Sequence, residues 1–377
     1  MSGTRSPGGR DLRLDGIRGI AVLVVLLYHA TTPGRILPTD NRLMPGGWLG
    51  VDVFFVLSGY LITQLLLAER RSTGWIDRRA FYLRRVRRLL PALAVLLAVW
   101  LLVTLTRLLP VERLGAPSPH AGWRLALVPV VGAFTLIYNW LLALDVPTPF
   151  GMGHLWTLSV EEQFYLVWPT LILLVTARSR RPGRALGRLV LAGIALSLLV
   201  TALAELHGRR NIAYFSSLTS GLGLLAGAAT AIRGPVRGRG LLGLAGLATI
   251  AGCVLFVPDN RPGLLPWAVV ATSFGTAALI SGAGVPRLDR ILELPWLRYA
   301  GRRSYAIYLW SSPLAYATVV WGGRTWAMDA VLVVSAFACA ELSWRLVERR
   351  FLARRSEPRP APTPQPSVEL EPVAVEA

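Results

Sequence analysis

Apolar runs of about eighteen residues or more recur from one end of this chain to the other, and in a hydrocarbon core only a helix or a closed barrel satisfies the backbone. Runs of that length read as helices, so the expected fold is all-α, a polytopic integral membrane helical bundle. Candidate spans lie at 14–32, 48–68, 89–109, 124–144, 154–177, 187–206, 213–232, 240–257, 265–283, 299–321 and 327–347, eleven in all. Only 16% of the 377 residues are charged, where a soluble domain has about a quarter. The first run carries Arg18 and His29 and no small-residue cleavage pattern follows it, so a removable signal peptide is not expected.

Charge tests the count. The net charge is +19 and every basic residue is Arg. A basic balance can mark nucleic-acid binding, but here the arginines fall in short segments between apolar runs. The positive-inside rule explains that placement, and no nucleic-acid partner is expected. Residues 69–88 hold eight Arg and two acids, and 178–188 hold five Arg and no acid. Both segments, and the arginines near 233–239, 287–303 and 349–355, are expected on the cytoplasmic side. Three candidates separate the first two segments, and three crossings cannot join loops on one side. One of them must fail to cross: 124–144, interrupted by Pro129 and Asn139, or 154–177, which carries Glu161 and Glu162.

The expectation is about ten transmembrane helices plus one re-entrant or partial segment beside a cavity. Both termini are then cytoplasmic and the bilayer is a plasma (inner) membrane. The chain divides into a cytoplasmic arm at 1–12, a membrane domain at 13–350 and a tail at 351–377, whose Pro, Glu and Ala content predicts disorder. Cys253 and Cys339 have no metal spacing and read as small apolar residues.

The polar residues inside the apolar runs carry the functional signal. Arg18 and His29 are eleven residues apart, which at about 100° per residue puts both on one helix face, ~16 Å apart along the axis. A snorkelling Arg and a structural His fit the bare spacing. A cavity with an anion at one end and proton transfer at the other fits both residue types. In "GHLWTLSVEEQFYLVWP", 153–169, His154, Glu161 and Tyr165 share a face and Glu162 points elsewhere. Glu161 pairs with an Arg or partners a histidine in proton transfer. "FYLRRVRRLLP", 81–91, packs four Arg ahead of the third span, where topology alone or phosphate binding accounts for them. "GVDVFFVLSGYLIT", 50–63, has Asp52 near its outer end and a Ser58-Gly59 pair that suits close helix packing. No base stands beside Ser58, which argues against a serine nucleophile. The four His, at 29, 120, 154 and 207, have no compact ligand spacing, so no metal is expected.

These stretches, with "GRRSYAIYLWSSPL" at 301–314, resemble the membrane-bound acyltransferase-3 family over about residues 12–350. The resemblance implies a bundle of about ten spans that moves an acyl group, often acetyl, onto a hydroxyl. The donor it implies is a cytoplasmic acyl-CoA, with no bound cofactor. It makes His29 the essential histidine and Arg18 its paired basic residue. Arg85 and Arg88 become the loop pair and Glu161 the acid of the tryptophan–glutamate motif. Tyr165, His154 and Asp52 join the arginine pair as substrate-binding candidates. Two positions depart from the pattern: Ser311 stands where relatives often have His, and Glu348 is followed by Arg349 and Arg350 in place of a Glu-x-Pro ending. The first departure puts a second catalytic histidine in doubt. Some relatives carry an extra span and an esterase-like domain, which the short tail here does not lead one to expect.

The expected function is O-acylation, with acetyl the leading group, of a cell-envelope glycan or glycolipid. Arg85, Arg88 and Arg18 would hold the donor's phosphates, and the pantetheine arm would run toward His29. His29 would act as general base, or as a nucleophile through an acyl-histidine. A macrolide-type acceptor is the alternative within the enzyme class. A lipid or glycan transporter is the rival class, though such proteins tend to show internal repeats, and none is apparent here.

Overall fold

The computed structural model describes residues 11–31, 44–106, 108, 122–234, 240–258, 262–282, 285–322 and 325–353. His120, most of the expected arm and the tail beyond 353 lie outside them. The described residues are helical throughout, with no strand among them. In order they form α1 (Leu12–Thr31), α2 (Gly50–Thr73), α3 (Arg78–Leu105), α4 (Gly122–Phe134), α5 (Tyr138–Ala143) and α6 (Leu155–Arg178). There follow α7 (Pro182–Leu206), α8 (Arg210–Phe215), α9 (Ser217–Arg233), α10 (Gly240–Phe256), α11 (Leu265–Ser281) and α12 (Pro286–Leu292). The last are α13 (Pro295–Arg302), α14 (Ser304–Gly322), α15 (Trp326–Ser343), a π-helical turn over 344–348 and α16 (Arg349–Ala353).

Seven helical segments among the described residues are long and apolar enough to cross a membrane, or eight if the bent pair α11–α12 is one span. The sequence count was higher for physical reasons. α10 has only 17 residues, and the apolar run of α14 is diluted by Tyr305, Tyr308, Ser311, Ser312 and Pro313.

The arginine-rich segment at 69–88 is not the long loop that charge predicted. α2 runs on to Thr73 and stops at Gly74, whose φ of 71° suits a left-handed C-cap. Asp77 caps the next helix by accepting from the Ala80 N–H at 2.9 Å. The loop is therefore only 74–77, and Arg84, Arg85 and Arg88 stand on the first turns of α3. Arginine is a good helix former, so nothing in the cluster stops the helix.

Of the two segments suspected of irregularity, 154–177 is an unbroken helix and 124–144 is the broken one. The break centres on Leu136, held at φ 59°. A non-glycine residue there costs about 1–2 kcal/mol, and freed backbone groups need partners. Gln163 of α6 supplies one, donating from Nε2 to the Leu136 carbonyl at 2.5 Å and to Asn139 Oδ1 at 3.0 Å. Asn139 in turn donates to the Phe215 carbonyl at 3.0 Å and to Ser217 Oγ at 2.9 Å. The Ser217 hydroxyl closes the ring onto Gln163 Oε1.

Glycine seams hold the bundle together. A Cβ on Gly59 would sit 1.9 Å from the Leu224 carbonyl oxygen of α9, and one on Gly227 would sit 2.0 Å from that of Val56. The Ser58-Gly59 pair thus serves the close approach expected of it. α1 is seated similarly, since a Cβ on Gly16 or Gly19 would strike the carbonyls of Leu292 and Leu297. Arg18 is about 100–200° round the helix from those glycines, so seating them turns it to the other side. Farther along, Glu341 of α15 binds Arg303 at 2.5 Å, Arg345 at 2.7 Å and the Tyr299 hydroxyl at 2.7 Å, fixing the start of α14. Gly59→Ala is expected to destabilise the detergent-solubilised protein by about 1–3 kcal/mol through backbone overlap, read as a lowered thermal midpoint. An unchanged midpoint would mean the seam is not tight.

Candidate active site

A cavity of about 680 Å³ runs between α1, α2, α3, α6 and α14. Its lining reaches from Ala68 to Val51 on α2, a length of ~25 Å at 1.5 Å per residue. Gln64, Leu65 and Ala68 are exposed at one end, and Thr157 and Tyr308 lie on the inner wall. Of the sequence candidates, the cavity gathers Arg18, Arg85, Arg88, Glu161 and Tyr165. It leaves out His29, His154 and Asp52.

The three arginines share one property. None of them lies within ion-pair distance of a carboxylate among the described residues. Arg18 Nε is buried and has no hydrogen-bond partner. Arg85 rests its guanidinium on the Tyr165 ring, 3.9 Å from the centroid, a cation–π contact that steers the side chain but does not neutralise it. Glu161 faces the same space, yet its Oε1 accepts from Ser58 Oγ at 2.7 Å and it touches no guanidinium. Glu69 offers Arg84 only a long contact of 3.9 Å. Glu348, carried on the π-helical turn, is buried near Arg88 and takes its hydrogen bond from Ser343 at 3.1 Å. Guanidiniums without an ion-pair partner in a confined space can take an anion with several oxygens, such as phosphate.

His29 lies beyond the inner wall. Its Nδ1 is 2.9 Å from Ser311 Oγ, and Ser311 donates to the Tyr308 carbonyl at 2.8 Å. The Tyr308 hydroxyl donates to the His154 carbonyl at 3.0 Å and lies 2.9 Å from Thr157 Oγ1. Tyr308 therefore lines the cavity with its side chain and holds the His29 partner with its backbone. His154 sits against the Tyr308 ring edge, centroids 5.5 Å apart, and both its ring nitrogens are buried without partners. The structure does not bring Glu161 to His29. Asp52 shares a helix face with Gly59, the face packed on α9, and its Oδ2 is buried without a partner. His207 is exposed at the end of α7 and bonds the Leu203 carbonyl.

Sequence reasoning missed Tyr305, Tyr308 and Ser58 as parts of this site. The signal was present: Tyr305 and Tyr308 are spaced one turn apart just after the Arg302-Arg303 pair. Ser58 was weighed only as a nucleophile and as a small residue, and its hydrogen bond to Glu161 depends on a helix far off in sequence.

A model of an acyltransferase domain matches residues 11–344, most of the chain. The chain belongs to that family, acyltransferase-3. Among curated relatives in the family, the peptidoglycan O-acetyltransferase OatA of Listeria monocytogenes is 29% identical over 363 residues. That alignment covers 89% of this chain and 54% of the relative. The putative peptidoglycan O-acetyltransferase YrhL of Bacillus subtilis is 29% identical, with the same coverage of each chain. The O-acetyltransferase OatA of Staphylococcus aureus is 28% identical over 89% of this chain and 56% of its own length. The chain thus spans about half the length of the curated relatives it matches. No solved structure matches it.

Arg18 gives this acyltransferase-3 chain a test that needs no substrate. A buried cation without a counter-charge is a stability liability. Arg18→Met is expected to raise the thermal midpoint, by about 1–2 kcal/mol of stability, in ligand-free protein. A lowered midpoint would mean the guanidinium is structural.

Proposed function

We propose that this protein is an integral membrane O-acetyltransferase that moves an acetyl group from a cytoplasmic acyl-CoA to a hydroxyl of a cell-wall glycan. What carries the reading is the convergence of Arg18, Arg85 and Arg88 on one cavity with no carboxylate at ion-pair distance among the described residues. The curated relatives, named for peptidoglycan O-acetylation, support the acceptor class. In this reading the bundle crosses a plasma membrane about ten times, with α10 and α14 among the crossings. Both termini are then cytoplasmic, and the arginine cluster faces the compartment that holds coenzyme A.

The three arginines hold the donor's phosphates, with Arg85 braced by Tyr165. The pantetheine arm follows α2 inward. The Arg18–His29 separation of ~16 Å is of the order of that arm's length, so a thioester held this way reaches the Tyr308 end. Tyr308 must swing aside for it to meet His29. His29 takes the proton of the acceptor hydroxyl, the oxygen attacks the thioester carbonyl, and the tetrahedral intermediate collapses. The carbon–sulfur bond breaks, and the departing thiolate takes the proton from the imidazolium. Glu161, held by Ser58 out of contact with the guanidiniums, leaves the arginine cluster open to the donor's phosphates.

The test is thiol release from acetyl-CoA by the detergent-solubilised full chain with a muropeptide acceptor. His29→Ala is expected to lower kcat by about 10²–10⁴. Arg88→Ala is expected to raise the donor KM by about 10–100-fold with a smaller change in kcat, the loss of charge-assisted hydrogen bonds to phosphate. Wild-type kinetics in both variants would remove this site from the reaction.

A further inference from the structure

We infer that Ser311 is a positioning residue for His29, fixing its imidazole as the Nδ1–H tautomer and presenting Nε2 as the proton acceptor. This rests on the reading of His29 as the base. The number of hydrogens on Ser311 decides the tautomer. A serine hydroxyl has one proton to donate and lone pairs to accept with. Ser311 donates its proton to the carbonyl of Tyr308, three residues back, at 2.8 Å. Serine on a helix commonly bonds back in this way. Toward His29 the same oxygen can then only accept, so the ring nitrogen 2.9 Å away carries a hydrogen.

The rest of the surroundings leave that hydrogen bond unopposed. Among the described residues His29 has no other hydrogen bond, so Nε2 keeps its lone pair. Glu161 bonds Ser58, and His154 makes no side-chain hydrogen bond. Ser311 is fully buried, and the carbonyl it bonds is part of the α14 backbone, so the acceptor of its proton stays in place when the Tyr308 ring moves. When Nε2 takes a proton from the acceptor hydroxyl, Nδ1 continues to donate to Ser311 and no rearrangement is needed. A neutral hydroxyl in this place orients the imidazole without adding a negative charge beside it.

The experiment is 15N NMR of the full chain in detergent, labelled at histidine, with the His29 signals assigned by their loss in His29→Gln. Ring nitrogen shifts separate the two neutral tautomers. Wild type is expected to show His29 as the Nδ1–H form alone, and Ser311→Ala a mixture of both forms. With that mixture, kcat is expected to fall by about 2–10-fold, in proportion to the fraction left as Nδ1–H, while the donor KM changes by less than about twofold. A wild-type His29 in the Nε2–H form, or a Ser311→Ala protein with an unchanged tautomer, overturns the assignment whatever the activity. Undiminished acyl transfer in His29→Gln would overturn the reading of His29 as base instead. The tautomer spectrum decides on Ser311 in either case.

Discussion

Three guanidiniums meet in one cavity, and among the described residues no carboxylate lies within ion-pair distance of any of them. A cation withdrawn from water is expensive unless something answers it, so the rest of the bundle has to carry that cost. It does so along seams where side chains are absent. Gly59 and Gly227 let α2 and α9 meet backbone to backbone, and Gly16 and Gly19 seat α1 on α12 and α13. Such contacts gain dispersion over their whole length and hold the helices at fixed separations. The arginines are then kept converged by the scaffold and not by one another.

One helix shows how the two demands are met together. The face of α2 with Gly59 lies against α9, and the face with Phe54, Ser58 and Leu61 lines the cavity. Ser58 and Gly59 are neighbours in sequence and serve opposite sides. The first holds Glu161 by a hydrogen bond, and the second brings α9 close enough to fix α2. Tyr308 joins the two ends of the site in a similar way. Its hydroxyl reaches α6 and its carbonyl reaches Ser311, so the wall of the cavity and the setting of His29 are one unit.

Much of this was legible in the sequence, and the limits have physical causes. Apolar runs predicted helices, and helices formed, because in a long apolar segment the backbone has nowhere else to bond. The shared face of Arg18 and His29 follows from helical period alone. Loop charge was a poorer guide to secondary structure. Eight arginines in 69–88 read as a loop, while helix propensity, the Asp77 cap and Gly74 shortened it to 74–77. The break in 124–144 was legible from Pro129 and Asn139, but its position at Leu136 depends on Gln163 and Ser217 from other helices. Periodicity placed Glu161 on the same face as Tyr165, which lines the cavity with it, and could not say which partner it would meet. The serine at 311 looked like a lost histidine in the sequence, and only the packing of α14 on α1 shows it against His29.

The inner wall at Tyr308 has a consequence for the cell as an electrical device. A cavity lined with arginines at one end and running most of the length of α2 would, if continued past that tyrosine, join the two sides of a membrane by a wet path. Protons would then follow the membrane potential, worth about 2.3 kcal/mol per charge for every 100 mV, through a protein that has no use for the current. Tyr308 is held by hydrogen bonds at both hydroxyl and carbonyl, and the aromatic packing of Trp156 on Phe55 and Phe215 lies close by. Held in this way, the wall at Tyr308 closes that path.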